Sequence, residues 1–336
     1  MRCFCSQNRI SSCLLTIRLF SPIMRKIYYL VSLIASFTAH AQQDAQFTHY
    51  IYNQLFLNPA TAGSENVTRF QAIYRSQYQG YQSTFDDGGA PVTQVISVNV
   101  PLKMLKGGVG ITFVNDKIGA STQRDFKLSY AYQMPIGNSQ LGIGVSGGYF
   151  SRGMDYSRLR AKDENDPLLA SGRISQTSID LGAGLYLNNP SYTVGLSMNH
   201  INQPTFGLGT DKATNTLKRS ANLTGSLLIG VSYTIDISPM LIIKSDLSTI
   251  SAEAGAIATY DSRYWVGTSY RTGDAVSGLV GANLLGGSMR IGYAIDVIIG
   301  GINAKSPMSH EVLLSYSLAA LRAGKKSIVR TPRYRY

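Results

Sequence analysis

Three consecutive residues, Ser309, His310 and Glu311, have the side chains of a nucleophile, base and acid in a hydrolytic triad. The residues around them alternate in polarity, which predicts a strand whose neighbouring side chains point to opposite faces. Ser309 and Glu311 would then share a face that His310 leaves, so the tripeptide alone cannot form a triad. We predict no catalytic residues. A barrel lipase is the remaining enzyme alternative, and it predicts phospholipid hydrolysis that depends on Ser309 or His310.

No motif predicts a metal or a cofactor. Asp163, Glu164 and Asp166 gather in one segment, but their spacing matches no twelve-residue calcium loop. The glycine-rich runs 107–110 and 142–144 lie inside predicted strands without a following helix. Glycine at such positions permits curvature or close packing rather than phosphate binding.

From about residue 66 to 318, apolar residues alternate with small or polar ones. This pattern predicts the strands that would position the residues named above. In the clearest stretch, Met289, Ile291, Tyr293, Ile295 and Val297 share one face, and Arg290, Gly292, Ala294 and Asp296 share the other. The pattern predicts fourteen strands, near 66–79, 90–101, 107–117, 120–134, 139–150, 176–188, 191–201, 219–235, 238–248, 253–260, 262–271, 274–285, 288–299 and 309–318.

These strands favour an all-β transmembrane antiparallel barrel over a soluble sandwich, which would also alternate. They exceed the ~5–6 residues typical of globular sheets and suit the ~9–11 residues that cross a bilayer at a tilt. The composition agrees, with 33 Gly, 21 Tyr and only 15% charged residues. An even strand number is typical of bacterial outer-membrane barrels.

The amino-terminal region predicts export. Residues 24–26 are basic at positions 25 and 26, residues 27–37 are apolar, and 39–41 read Ala-His-Ala, which together are typical of a signal peptide cleaved after Ala41. We expect Met24 to be the true start, with 1–23 a mis-assigned extension. All three cysteines lie in that extension, so we expect no disulfide in the mature chain. The predicted organisation is 1–41 presequence, 42–65 segment at the lumen or mouth, 66–320 barrel and 321–336 basic periplasmic tail.

The positive charge does not predict a nucleic-acid partner. Removal of 1–41 takes away five basic residues and no acids, which lowers the net charge from +12 to +7. Six of the remaining positive charges lie in the tail, so the rest of the mature chain is near neutral. Several charged residues lie on the strand faces that point into the predicted lumen, where we expect opposite charges to pair. They are Arg75, Asp125, Lys127, Asp180, Lys244, Asp246, Arg271, Arg290 and Asp296.

Several blocks of residues resemble a known family. The blocks are Asp44-x-Gln46-Phe47, Asn53-Gln54-Leu55, Asn58-Pro59-Ala60-x-Ala62-Gly63, Tyr74-Arg75, Pro91-x-Thr93, Tyr264-Trp265-x-Gly267-x-x-Tyr270-Arg271, Gly292-Tyr293-x-x-Asp296 and Ser309-His310-Glu311-x-x-Leu314-x-Tyr316. This pattern, spread over about 42–318, resembles the PorP/SprF membrane proteins of the type IX secretion system.

The resemblance implies an outer-membrane barrel of a Gram-negative bacterium of the Bacteroidota. It implies a component or accessory that supports secretion and surface attachment of partners such as gliding-type adhesins. Implied partners are membrane lipid, secretion-system components or a large secreted adhesin, and peptidoglycan-associated periplasmic proteins. The implied motif residues are structural: Asn58, Pro59, Ala60, Gly63, Tyr74, Arg75, Pro91, Trp265, Gly267, Tyr270, Arg271, Gly292, Tyr293, Asp296, His310 and Glu311. The alternative is a passive transporter of small or hydrophobic solutes, which would need a lumen that residues 42–65 leave open.

Overall fold

The computed structural model describes residues 44–81, 90–158, 172–207, 214–300 and 308–318. The predicted signal peptide, the acidic cluster at 163–166 and the basic tail lie outside these residues. No helix in the described part of the chain is long and apolar enough to cross a bilayer.

Strands dominate the described residues. They are β1 Arg69–Ser76, β2 Val92–Leu102, β3 Gly107–Ile118, β4 Ser121–Ile136, β5 Ser139–Asp155, β6 Arg173–Asn189, β7 Tyr192–Asn199, β8 Thr205–Gly207, β9 Thr214–Thr216, β10 Ser220–Leu227, β11 Ile229–Gly230, β12 Ile235–Ser245, β13 Ile250–Tyr260, β14 Tyr264–Arg271, β15 Ala275–Leu284, β16 Met289–Ile298 and β17 Met308–Ser317. One α-helical turn, α1, spans Gln54–Leu57, and 3₁₀ turns span Pro59–Thr61, Lys103–Leu105, Tyr156–Arg158 and Leu285–Gly287.

The strands close into a barrel in which every neighbouring pair is antiparallel. β1 pairs with both β2 and β17, and β10 pairs with both β7 and β12. β11 continues β10 after a break at Leu228 and also pairs with β12, so the barrel has fourteen strand positions. The predicted fold class and strand number are confirmed.

Two local expectations were wrong. The strand predicted at 219–235 ends at Gly230, because residues 231–234 form the turn into β12. Asp246 does not join the lumen charges. It lies in the turn after β12, where its carboxylate accepts hydrogen bonds from the Thr249 and Ser248 amides at 2.6 and 3.0 Å.

Residue parity decides which side chains face the surroundings. On β1, Phe70 and Tyr74 are exposed, whereas Gln71, Ile73 and Arg75 are buried in the lumen. A barrel in lipid exposes apolar side chains because the hydrocarbon solvates them, and its polar side chains turn inward. Alternation with a period of two thus places the charged residues inside.

The two ends of the barrel differ in their connections. At one end, the turn end, short connections join the strands at 103–106, 137–138, 190–191, 231–234, 261–263 and 285–288. The opposite end, the loop end, has the long connections 77–91, 156–172, 200–219 and 299–307. Bacterial outer-membrane barrels keep short turns in the periplasm and long loops outside.

Candidate functional site: the plugged lumen

Residues 44–65, here called the plug, fill the lumen. Asp44 contacts His200, which follows β7 at the loop end, and Gly63 contacts Gly108 near the start of β3 at the turn end. The plug therefore runs along the height of the barrel before the chain enters β1. Thr48 and Ala60 within it have no exposed surface.

A charged lock holds the plug near the loop end; it consists of Arg75, Asp296 and Glu311 on the wall with Thr48 and His49 on the plug. Arg75 donates from Nη2 to Asp296 at 2.5 Å and from Nη1 to Glu311 at 2.9 Å. Glu311 also accepts from the amides of Thr48 and His49, both at 2.9 Å, while Thr48 Oγ1 donates to Asp296 at 2.7 Å. Each carboxylate thus joins the wall to the plug.

The lock is buried, so each of its charges needs an opposite charge or a hydrogen bond. Arg75, Asp296 and Glu311 are each at most 1% exposed. Burial of a charge is costly unless opposite charges and hydrogen bonds compensate it. Arg271 adds a second guanidinium 3.9 Å from Asp296 and itself donates to Glu253 at 2.9 Å.

A second polar cluster lies under the amino-terminal end of the plug. Lys127 Nζ lies 3.0 Å from Asp125 and 3.1 Å from Asp180. His200 bridges the wall and the plug, with Nδ1 2.9 Å from Asp180 and Nε2 2.9 Å from Asp44. The cluster anchors the first described residue of the plug.

Asp44 and His200 both lie outside the strands. Burial disfavours a charge on either group, but the attraction between them prevails and raises the pKa of His200 to about 9. The same contact lowers the pKa of Asp44 well below its ordinary value.

Near the turn end an amide seat holds the plug, formed by plug residues 58–63 and the wall residues Asn99 and Gln133. Gln133 donates to the carbonyls of Ala60 and Ala62, both at 2.9 Å. Asn99 accepts from the Gly63 amide at 2.6 Å. These contacts satisfy buried backbone groups without any charge.

Asn58 begins the seat and works in two directions. Its Oδ1 accepts from the Ala60 amide at 2.9 Å, which caps the 3₁₀ turn Pro59–Thr61. Its Nδ2 donates to the carbonyl of Leu185 in β6 at 2.8 Å. The side chain therefore fixes the turn and attaches it to the wall.

Two wall glycines make the close approach possible. A Cβ on Gly108 would lie 2.3 Å from the Cα of Gly63, and a Cβ on Gly144 would lie 2.4 Å from the Cα of Ala60. Gly63 itself has a φ of +75°, which favours glycine. The plug backbone thus rests directly on the wall backbone.

The remaining motif residues divide between the lumen and the outer surface. Trp265 is buried, with its ring centroid 5.8 Å from His49 and 5.2 Å from Tyr52. Gly292 lies beneath the Trp265 ring and Gly267 follows on β14. The residues that do not reach the plug are Tyr74, Tyr270 and Tyr293, which face outward, and Pro91, whose carbonyl accepts from the Gln77 amide at 2.8 Å.

The side chains of Ser309, His310 and Glu311 alternate between the two faces of the strand, as the sequence pattern predicts. Ser309 and Glu311 are buried in the lumen, whereas His310 Nδ1 lies 2.6 Å from the outward-facing Tyr293 hydroxyl. The described ranges contain no group of three or more His, Cys, Asp or Glu side chains arranged to hold a metal ion.

Several residues of the site were missed from the sequence. Glu253, Asn99 and Gln133 were not predicted to bind anything, although Glu253 is an acid in a strand of small residues, paired in register with Arg271. The alternation of faces along the strand could have placed Glu253 in the lumen. Asn99 and Gln133 carried no comparable signal because amides are common on polar strand faces.

Known proteins were compared with the chain by sequence and by structure. No curated protein matches the chain. Among solved structures, the Acinetobacter baumannii outer membrane protein Omp33 is 10% identical, covering 75% of this chain and 99% of that chain with a TM-score of 0.42. A Pseudomonas aeruginosa FadL homologue is 12% identical, covering 77% and 91% with a TM-score of 0.42.

The family profile for "Type IX secretion system membrane protein PorP/SprF" matches residues 39–316. That range contains the plug and thirteen complete barrel strands, together with nearly all of β17. The chain is therefore an outer-membrane barrel that belongs to the PorP/SprF family of type IX secretion system membrane proteins.

Proposed function

We propose that this barrel is an accessory of the type IX secretion system that supports secretion and surface attachment of partner proteins, such as gliding-type adhesins. The observation that carries the proposal is the plug, which occupies the lumen from the loop end to the turn end. A lumen filled in this way suits a fixed anchor better than an open channel. The partner would therefore contact the exposed ends of the barrel instead of passing through it.

The loop end offers a folded surface for such contact. The β8–β9 hairpin within connection 200–219 buries Phe206 against Phe150, with ring centroids 5.7 Å apart. Gln176 on β6 bonds both backbone groups of Gly207, at 2.7 and 2.9 Å. These contacts hold the hairpin on the long β5–β6 strands, which favours a shaped binding surface over a loosely held loop.

The test is a comparison of the proteins on the cell surface with and without this barrel. We expect deletion of the gene to move a large secreted protein from the surface to the medium or to abolish its secretion. Wild-type chain should restore attachment, whereas Phe206→Ser, which removes the apolar anchor of the hairpin, should restore it only partly. Tyr233→Ser changes a fully exposed residue at the turn end and is the matched control. An unchanged surface proteome after deletion would contradict the proposal.

The transporter alternative makes a different prediction for the purified protein. The plug argues against free diffusion, so the wild-type barrel should give no steady conductance in a planar bilayer. Steady conductance of the wild-type protein would favour passive transport. Co-purification from native outer membrane would then identify whether any secreted protein is bound.

A further inference from the structure

The outer surface of strands β2 to β6 changes from hydrophobic to polar between two neighbouring rows of side chains. These strands pair in register, so each strand contributes one outward-facing residue to each row. The hydrophobic row, nearer the middle of the barrel, consists of Ile96, Phe113, Phe126, Tyr149 and Ile179. The polar row, nearer the loop end, consists of Gln94, Asn115, Arg124, Ser151 and Thr177. Two residues along each strand separate the rows, a distance of about 6.8 Å.

The border between the rows marks the level at which hydrocarbon gives way to lipid headgroups. Hydrocarbon solvates exposed apolar side chains, whereas an exposed charge within it is costly. The polar row lies toward the loop end, because β2 begins at Val92 directly after the long connection 77–91. Long connections of bacterial barrels lie outside the cell. The polar row therefore faces the headgroups of the outer leaflet.

Two exposed cations on this surface lack an acidic partner. Arg124 belongs to the polar row, and Lys117 lies two residues beyond that row on β3. Within the described ranges neither side chain forms an ion pair. The acids closest to them in sequence, Asp116 and Asp125, are buried on the lumen side. Asp155, at the end of β5, has an arginine of its own at 3.7 Å. The surface thus presents two uncompensated positive charges directly above hydrophobic side chains.

Arg124 is oriented by a chain of side-chain amides across three strands. Its Nε donates to Asn115 Oδ1 at 3.5 Å, and Asn115 Nδ2 donates to Gln94 Oε1 at 3.3 Å. In the described part of the chain, Nε is the atom of this guanidinium that is bonded, which leaves both Nη groups to donate. A guanidinium that offers two parallel donors matches the geometry of a phosphate.

We propose that this surface binds a phosphorylated, multiply acylated glycolipid of the outer leaflet, of the lipid A type. Arg124 and Lys117 bind phosphate, the amides and hydroxyls of the polar row contact the sugar headgroup, and the acyl chains lie on the hydrophobic row. Each row spans the four gaps between β2 and β6, about 19 Å at ~4.8 Å per gap. That width exceeds what the two chains of a phospholipid cover, so a lipid with more chains fits the surface better. This site is independent of the proposed attachment role.

Native mass spectrometry of the full-length protein in detergent measures this binding directly. The protein is titrated with bisphosphorylated hexa-acyl lipid A, and the fraction that carries lipid is recorded at each concentration. We expect saturable binding of lipid A. The same lipid without its phosphates should bind about thirtyfold more weakly, because both cations lose their partner. Phosphatidylglycerol, which is anionic but has two chains, should also bind more weakly than lipid A.

Variants connect the binding to this surface. Arg124→Gln and Lys117→Gln should each weaken lipid A binding about fivefold, and the double variant about thirtyfold, the usual effect of one and two cations beside an anionic headgroup. The matched control combines Lys103→Gln with Lys106→Gln. It also removes two exposed cations, but from the turn between β2 and β3 at the opposite end of the same strands. The control should leave lipid A binding unchanged.

Four results would overturn the proposal. They are no binding of lipid A, equal binding of the dephosphorylated lipid, binding of phosphatidylglycerol as tight as that of lipid A, or a double variant at Lys117 and Arg124 that binds no more weakly than the turn-end control. Heat-modifiable migration on a gel shows whether each variant is folded. None of these results alters the surface-protein comparison, so failure here is distinguishable from failure of the attachment proposal.

Discussion

The two ends of the plug are held by opposite kinds of chemistry. Near the loop end the charged lock joins plug and wall through a buried arginine and two carboxylates. Near the turn end the amide seat uses neutral side-chain amides and direct backbone contact over Gly108 and Gly144. Both regions bury polar groups, but only the lock buries charge.

This difference predicts two modes of failure. A buried ion pair that loses one partner leaves an uncompensated charge, so the lock should fail through loss of barrel stability. The seat has no charge to expose. It depends on Gly108 and Gly144, which have no side chain between the wall backbone and the plug. It should fail through displacement of the plug while the barrel persists.

Loss of Arg75 should have the largest effect. Arg75→Met keeps the length of the side chain but removes the guanidinium that lies between Asp296 and Glu311, two carboxylates on the adjacent strands β16 and β17. The expected cost is about 3–5 kcal/mol of unfolding free energy, measured as a lower urea midpoint in detergent. The control is Arg290→Met, because that guanidinium bonds the amide of Asn283 at 3.0 Å instead of a carboxylate. Equal losses for the two variants would contradict a special role for the lock.

Asp296→Asn should be milder. The amide can still accept from Thr48, and Glu311 still neutralises Arg75, so only one charge-assisted bond is lost. A cost of about 1.5–3 kcal/mol is expected, seen as a lower temperature for the heat-modifiable band shift. Asp236→Asn, at a half-buried position on β12 next to the turn, is the matched control. An unchanged shift temperature for Asp296→Asn would remove this residue from the lock.

The barrel could be predicted because its strands are encoded in the alternation of neighbouring residues. A period of two assigns each strand residue to a face, and this sufficed to place Arg75 and Asp296 inside and to separate His310 from Ser309 and Glu311. The even strand number followed from counting. The β8–β9 hairpin and the break at Leu228 did not follow, since neither alters the polarity pattern enough to be seen.

The plug could not be predicted in the same way. It has no period, and its bonds join residues far apart in sequence, such as Thr48 and Glu311. The family motif singled out Ala60 and Gly63 without showing that they sit on Gly144 and Gly108 of the wall. The path of such a segment depends on the three-dimensional shape of the closed lumen.

The amide seat is tested by adding one methyl group. Gly108→Ala places a Cβ 2.3 Å from the Cα of Gly63, so residues 59–63 must move at a cost of about 1–3 kcal/mol. Ser64→Cys, at a buried position, should then react with maleimide faster in the Gly108→Ala background while the barrel stays folded. Gly147→Ala is the control, because its nearest atom would be 3.6 Å away. Equal reactivity in both backgrounds would show that the plug tolerates the wall side chain.

The smallest expected effect is a pH response confined to the amino-terminal end of the plug. The pKa of His200 is raised to about 9 by Asp44, so this contact stabilises the folded protein fully below pH ~6.5 and is lost as the pH passes about 9. Asp44 remains ionised throughout that window because its own pKa is lowered.

A nitroxide on Gln46→Cys should therefore gain mobility in its EPR spectrum between pH 8 and roughly 10. The same label in a His200→Gln background should be mobile at every pH. The glutamine has no positive charge to attract Asp44 and no group that titrates in this range. A label on Ser64→Cys, directly after the amide seat, should show no transition, because the seat holds the plug without a titrating group. A transition of equal size at both labels would mean that the two ends of the plug are released together, and the Asp44–His200 contact would then not act on the amino-terminal end alone.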